Sequence, residues 1–131
     1  MNISLFSGGG SGCYGSFQSG REIHLAVDLD EKALKVVRHM KWAGATLYQD
    51  LSLVQESVES IRNKVGPESV IDHVIASPPC QDFSTSTSAS SIRDGRPRAN
   101  LTISTANILR ILRPASFTIE NVTPMYNSEE Y

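Results

Sequence analysis

Five short apolar or β-branched runs recur along the chain: Asn2 to Phe6, Ile23 to Val27, Ala45 to Tyr48, Val70 to Ala76 and Phe117 to Ile119. The segments between them carry apolar residues every three or four positions, the period of a helix that buries one face. Strands that alternate with helices pair through crossovers, and the crossovers are right-handed. The pattern βαβαβαβαβ therefore dictates an α/β fold: a doubly wound parallel sheet with helices on both faces. In such a sheet the first and fourth strands flank the point where the winding reverses, and the fifth lies beside the fourth. Ligands bind at the carboxyl ends of these strands, so the residues just beyond each strand carry the functional information.

Local chemistry sets the helix limits. A short helix is expected from Cys13 to Gln18, with Gly20 ending it. Asp30 is placed to cap a helix with Ala33, Leu34, Val37 and Met40 on one face and Lys35, Arg38 and Lys41 on the other; Gly44 reads as its close. Leu51, Val54, Val58, Ile61 and Val65 form an inward stripe that ends at Gly66-Pro67, and Asp50 caps this helix or meets a ligand. Leu101 to Leu112 is a further helix, with Ile108, Leu109 and Leu112 inward and Arg113-Pro114 as its stop. Ser84 to Ser91 is polar and aperiodic, and reads as a long loop of the kind that often serves as a lid. Arg93, Arg96 and Arg98 come next, either as a solvated basic segment or as phosphate contacts.

Composition narrows the function classes. In 131 residues the formal net charge is −2, so no overall basic field advertises nucleic acid, although a local basic edge is compatible with it. Two cysteines, Cys13 and Cys80, are too few for a disulfide framework and suit a reducing, cytoplasmic setting. His24, His39 and His73 form no metal-ligand spacing with them, so no metal is expected. No run reaches the length of a membrane span, and no signal peptide precedes the first strand.

Three strand ends carry chemistry. After the first comes Ser7-Gly8-Gly9-Gly10-Ser11-Gly12, a turn that either admits a ligand to the backbone or serves only as a tight connection. Asp28 stands about 20 residues on, placed for ribose hydroxyls or as a second capping residue. The fourth strand stops at Ser77-Pro78-Pro79, because proline lacks an N–H, and Cys80 stands directly behind. The fifth ends at Glu120-Asn121-Val122. Topology alone thus puts a glycine turn, a thiol and a carboxylate on one edge.

These residues resemble the DNA (cytosine-5) methyltransferases. Leu5-Phe6-Ser7-Gly8-Gly9-Gly10 is similar to that family's Phe-x-Gly-x-Gly cofactor loop. Pro79-Cys80-Gln81-x-Phe83-Ser84 matches its catalytic loop, Glu120-Asn121-Val122 its catalytic Glu-Asn-Val, and Arg98 with Leu101 its Arg-x-x-Leu. The resemblance implies S-adenosylmethionine held by Phe6, Ser7, Gly8, Gly10, Asp28, Leu29, Asp50, Leu51 and Pro79. Asp28 would take the ribose, and Asp50 the adenine amino group. It implies Cys80 as nucleophile and Glu120 as the acid at ring nitrogen 3, with Gln81, Ser84, Arg98 and Asn121 toward the DNA substrate. It also implies a place in a restriction-modification system. Transfer to an exocyclic amino group, whose enzymes also carry a Pro-Pro loop, is disfavoured by Cys80 and by Glu-Asn-Val. A cytosine in RNA and a non-catalytic S-adenosylmethionine-binding or assembly role are the alternatives.

Ser4 replaces the acid common before the Leu-Phe pair, Ser11 replaces a glycine, and Leu29 stands where the family often places tryptophan. The sequence shows no Gln-x-Arg-x-Arg segment, no target-recognition domain and no returning C-terminal helix. Residues 1–131 are therefore expected to be the N-terminal portion of a catalytic domain. That portion is a truncated form, one subunit completed by a complementary C-terminal methyltransferase polypeptide, or an inactive remnant.

Overall fold

The computed structural model describes residues 1–79 and 101–121. The expectations for Cys80, Gln81, Ser84, Arg93, Arg96, Arg98 and Val122, and for the Ser/Thr-rich segment, lie outside the described residues. The elements run in the order β1 (Asn2–Leu5), α1 (Ser11–Gln18), β2 (Ile23–Asp28), α2 (Glu31–Met40), β3 (Ala43–Tyr48), α3 (Val54–Val65), β4 (His73–Ala76), α4 (Leu101–Leu112) and β5 (Ser116–Ile119).

The five strands form one parallel sheet in the order β3-β2-β1-β4-β5. Side chains alternate between its faces. Ile3, Leu5, Leu25, Val27, Val74 and Ala76 meet Val58 and Ile61 of α3 and Ile108, Leu109 and Leu112 of α4 on one side. Ile23 and Ala26 meet Cys13 of α1 and Val37 of α2 on the other, with Trp42 and Ile75 packed at the margin. Truncating one of the fully buried residues, such as Ile61 or Ile108, to alanine costs about 2–5 kcal/mol through lost transfer energy and the cavity left behind.

Several helix ends depart from the simple reading of turn residues. Asp30 caps α2 as expected, its side chain accepting from the N–H groups of Lys32 and Ala33. Gly44, expected to close that helix, lies inside β3; Lys41 takes the left-handed conformation at φ 56° and ends α2 instead. Met40, expected inward, is 47% exposed. Asp50 does not cap α3. Its Oδ1 turns back to the N–H and hydroxyl of Ser52, and Leu53 is the cap residue. Arg62 reaches from α3 to the carbonyls of Ser69 and Leu112, so it occupies acceptors at the end of α4 and ties the two helices together. Gly20 ends α1 as expected, at φ 73°, with its N–H on the carbonyl of Phe17.

Candidate active site

The carboxyl ends of β2, β1, β4 and β5 are consecutive along one edge of the sheet. β1 stops at Leu5 because Phe6 turns into the left-handed region at φ 53°, a conformation a bulky side chain rarely adopts. Surrounding bonds hold it there. The N–H of Ser7 donates to the carbonyl of Val27 at 3.1 Å, and that of Gly10 returns to the carbonyl of Ser7 at 2.9 Å.

The glycines of this turn have separate tasks. A Cβ on Gly8, at φ 51°, or on Gly9 would meet no atom within 4 Å, so this part of the turn faces open space. A Cβ on Gly10, at φ 93°, would lie 2.9 Å from both Trp42 Cε3 and Val37 Cγ2. Gly10 is thus a packing requirement of α1 against α2 and Trp42. Gly10 is also the cap residue of α1 and offers no side-chain bond; the first helical bond runs from the N–H of Tyr14 to its carbonyl. The N–H groups of the first helical turn therefore stand without helical partners beside the open glycines, an arrangement suited to a polar or anionic ligand group. The hydroxyl of Ser7 is buried and has no hydrogen-bond partner, the only such side-chain atom among the described residues.

Of the two roles left open by the sequence, the structure shows Asp28 in the local one, as an acceptor for backbone N–H groups. Its Oδ1 accepts the N–H of Asp30 at 2.8 Å, and its Oδ2 accepts the N–H of Gly8 at 2.7 Å. The carboxylate thereby ties the glycine turn to the start of α2. Each oxygen retains a further lone pair, enough for a diol. Beside it, an open cleft of about 590 Å³ is lined by Asp28, Leu29, Asp30, Glu31, Lys32 and Tyr48. Leu29 is 53% exposed on the wall of this cleft. Tyr48 belongs to no motif; only its place opposite Asp28 in the sheet register marks it. Asp50 leaves Oδ2 without a partner among the described residues, available to a donor such as an amino group. Leu51, by contrast, is 3% exposed and belongs to the core.

At β4 the N–H of Ser77 donates to the carbonyl of Leu5 at 3.3 Å; Pro78 is buried and Pro79 exposed. Glu120 is exposed at the end of β5, its N–H on the carbonyl of Ala76 at 2.9 Å. Asn121 turns its side-chain amide to the carbonyl of Pro78. Ser4 is buried and hydrogen-bonds the thiol of Cys13, so the position that carries an acid in the resemblance supports a core thiol here. Burial pushes the Cys13 thiol up from its ordinary value, with the Ser4 contact pulling weakly the other way. No metal-binding group of three or more ligands exists among the described residues, and no described helix is long and apolar enough to cross a membrane.

Known proteins share both the sequence and this geometry. The chain is 37% identical over 126 residues to the type II methyltransferase M.HindV of Haemophilus influenzae, covering 96% of this chain and 38% of that protein. It is 36% identical to the type II methyltransferase M.HgiGI of Herpetosiphon aurantiacus, covering 92% of this chain and 88% of that one. A crystal structure of a prophage-encoded E. coli protein, assigned as a DNA modification methyltransferase, superposes with a TM-score of 0.74 at 27% identity, covering 99% of this chain and 34% of the other. The chain thus spans well under half of M.HindV and of that crystallised protein, and nearly all of M.HgiGI. The family model for C-5 cytosine-specific DNA methylases matches residues 1–131, and the chain belongs to that family.

Proposed function

We propose that this chain carries the cofactor-binding and nucleophile-bearing part of an enzyme that methylates carbon 5 of cytosine in DNA. The observation that supports this most is the strand order. It sets Asp28, the glycine turn, the Pro78-Pro79 lead into Cys80, and Glu120-Asn121 on four neighbouring strand ends. The open Gly8-Gly9 backbone, the uncapped start of α1 and the spare lone pairs of Asp28 fit S-adenosylmethionine. Phe6, Ser7, Gly8 and Gly10 form its floor, Asp28 takes the ribose diol, Leu29 flanks the adenine and Asp50 Oδ2 accepts its amino group. Leu51 backs this pocket from the core, and Pro79 borders the methyl end. S-Adenosylmethionine supplies a methyl group that carbon 5 accepts while the sulfur keeps the bonding electrons.

The chain's own residues prepare and release the base. Cys80, as thiolate, adds to carbon 6, forming the Sγ–C6 bond; the ring electrons shift toward nitrogen 3, which takes the proton of Glu120 in its acid form. Carbon 5 becomes an enamine carbon and hence a nucleophile. After transfer, carbon 5 loses its proton to a base, Cys80 leaves as thiolate, the 5,6 double bond returns and nitrogen 3 gives its proton back to Glu120. A free thiol ionises near pH 8.5, so a local environment that favours the thiolate is required. Carbon 6 is out of reach inside a duplex, so the cytosine must leave the stack. Gln81, Ser84, Arg98 and Asn121 serve the substrate side. A C-terminal methyltransferase portion, in the same polypeptide or in a complementary one, would choose the DNA target and close the cofactor pocket.

The test uses labelled S-adenosylmethionine and a duplex containing 5-fluorocytosine, which blocks loss from carbon 5 and traps the adduct. The chain is assayed alone and with the C-terminal part of M.HindV that has no counterpart here. A covalent complex in wild type that vanishes in Cys80→Ala is expected in at least the second arm. A complex that persists in that variant, or none in either arm, refutes the proposal.

A further inference from the structure

Ser77 follows β4, and the two residues between it and Cys80 are prolines, neither of which has a backbone N–H. The last main-chain donor before them is Ser77, which is bonded to Leu5. On the neighbouring strand the N–H of Glu120 donates to the carbonyl of Ala76. Neither Pro78 nor Pro79 can donate to the ladder, so only their carbonyl oxygens can take the main-chain or side-chain bonds that hold the segment. The carbonyl of Pro78 accepts the side-chain amide of Asn121, Nδ2 to O at 3.4 Å. Among the described residues this is the only hydrogen bond that either proline forms.

We infer that Asn121 is a positioning residue: its amide holds the Pro78-Pro79 turn and thereby sets where Cys80 starts relative to Glu120. The inference rests on the function proposed above and reassigns Asn121 from the substrate to the protein's own catalytic segment. Glu120 and Asn121 are adjacent, so two bonds across one pair of strand ends tie the acid to the proline turn that leads into Cys80. The main-chain bond fixes β5 against β4, and the side-chain bond fixes the proline turn at the end of β4. Both partners are neutral and one bond is modest; its effect is on placement, where a shift of about 1 Å can cost on the order of 100-fold in rate. An amide is needed because the acceptor is a carbonyl. An aspartate of the same shape offers no donor and brings two acceptor oxygens to a third.

The test compares wild type, Asn121→Asp and Asn121→Ala in the full chain. Cys80 alkylation by iodoacetamide is measured against pH by mass spectrometry, without DNA or cofactor; buried Cys13 contributes no background. In both variants the Cys80 alkylation profile is expected to move along the pH axis or change its plateau by about threefold or more, because thiolate fraction and access both depend on placement. Formation of the 5-fluorocytosine adduct is expected to slow about tenfold or more, with affinity for the duplex within about twofold of wild type. The inference is overturned if Asn121→Asp matches wild type, since shape alone would then suffice. It is equally overturned if the variants weaken DNA binding and leave Cys80 alkylation unchanged, the signature of a direct substrate contact. A wild-type chain that forms no adduct would sink the proposed function, while the alkylation comparison would still decide the role of Asn121.

Discussion

Replacing Asp28 by asparagine separates a residue that only shapes the turn from one that also binds a ligand. In the native chain Oδ2 holds the N–H of Gly8 at 2.7 Å and Oδ1 holds that of Asp30 at 2.8 Å. Asparagine has the same outline but one oxygen, so one of these donors must face an amide NH₂. The Gly8 bond is partly buried and the Asp30 bond exposed, so the oxygen is expected to stay with Gly8 while water serves Asp30. A hydrogen bond to a charged group is worth about 1.5–3 kcal/mol, and solvent access at Asp30 reduces the loss to about 1–2 kcal/mol. For a domain of this size that is a fall of roughly 4–8 °C in melting temperature. The ribose diol would lose the charged acceptor as well, weakening S-adenosylmethionine by about 10- to 100-fold. Thermal melts without ligand and calorimetric titration with S-adenosylmethionine measure the two effects separately. A lower melting temperature with unchanged affinity would refute the ribose assignment and leave Asp28 as a capping residue.

The two glycines of the turn are expected to respond in opposite ways. Gly10→Ala meets Trp42 and Val37 at 2.9 Å in a left-handed backbone and should lose about 2–4 kcal/mol in urea unfolding. Gly8→Ala meets no atom and should lose only about 1–2 kcal/mol from its φ of 51°, yet its methyl enters the open side of the turn and should weaken S-adenosylmethionine more than Gly10→Ala does. Equal effects on binding and stability in both variants would contradict this division. The Cys13 thiol, raised by burial above the ordinary value of about 8.5, favours the folded state fully below that value. The contribution is lost as pH rises toward the folded value, because the unfolded thiol ionises first. In a Cys80→Ala background, unfolding free energy should therefore fall from pH 8 to pH 10 more steeply than in the Cys13→Ala, Cys80→Ala double variant. Parallel pH profiles would show that burial of Cys13 has no such linkage.

What the sequence could express depended on whether the deciding contacts were local. The alternation of apolar runs and helical stripes was enough to place β1 beside β4 and β4 beside β5, as found. Asp30, whose capping bonds span only two and three residues, and the limits of α4 at Leu101 and Leu112 were equally readable. Gly44 misled because glycine so often ends helices; here Lys41 accepts the left-handed conformation and Gly44 passes close to the backbone of His24 in the next strand. Leu51 matches the period of α3 yet precedes it, because the Asp50 side chain folds a turn of its own over Ser52. Periodicity cannot see such a turn. Nor could spacing assign one glycine to Trp42 and another to open space, or turn Asn121 toward Pro78, since those partners lie 32 and 43 positions away in sequence. The motifs named the participants at the sheet edge; the register between β4 and β5 determined which of them hold one another.

The contact between Gly10 and Trp42 has an optical consequence. Trp42 is the only tryptophan in the chain, and its ring lies against the backbone at the start of α1. Tyr14, one turn into that helix, sits with its ring centroid 5.1 Å from the indole at 49°. Movement of the turn at Gly10 acts on this pair, altering the indole's polarity and the energy it receives from the tyrosine. The molecule thus carries its own emission probe against Gly10 of the glycine turn, excited selectively without a dye or an engineered label.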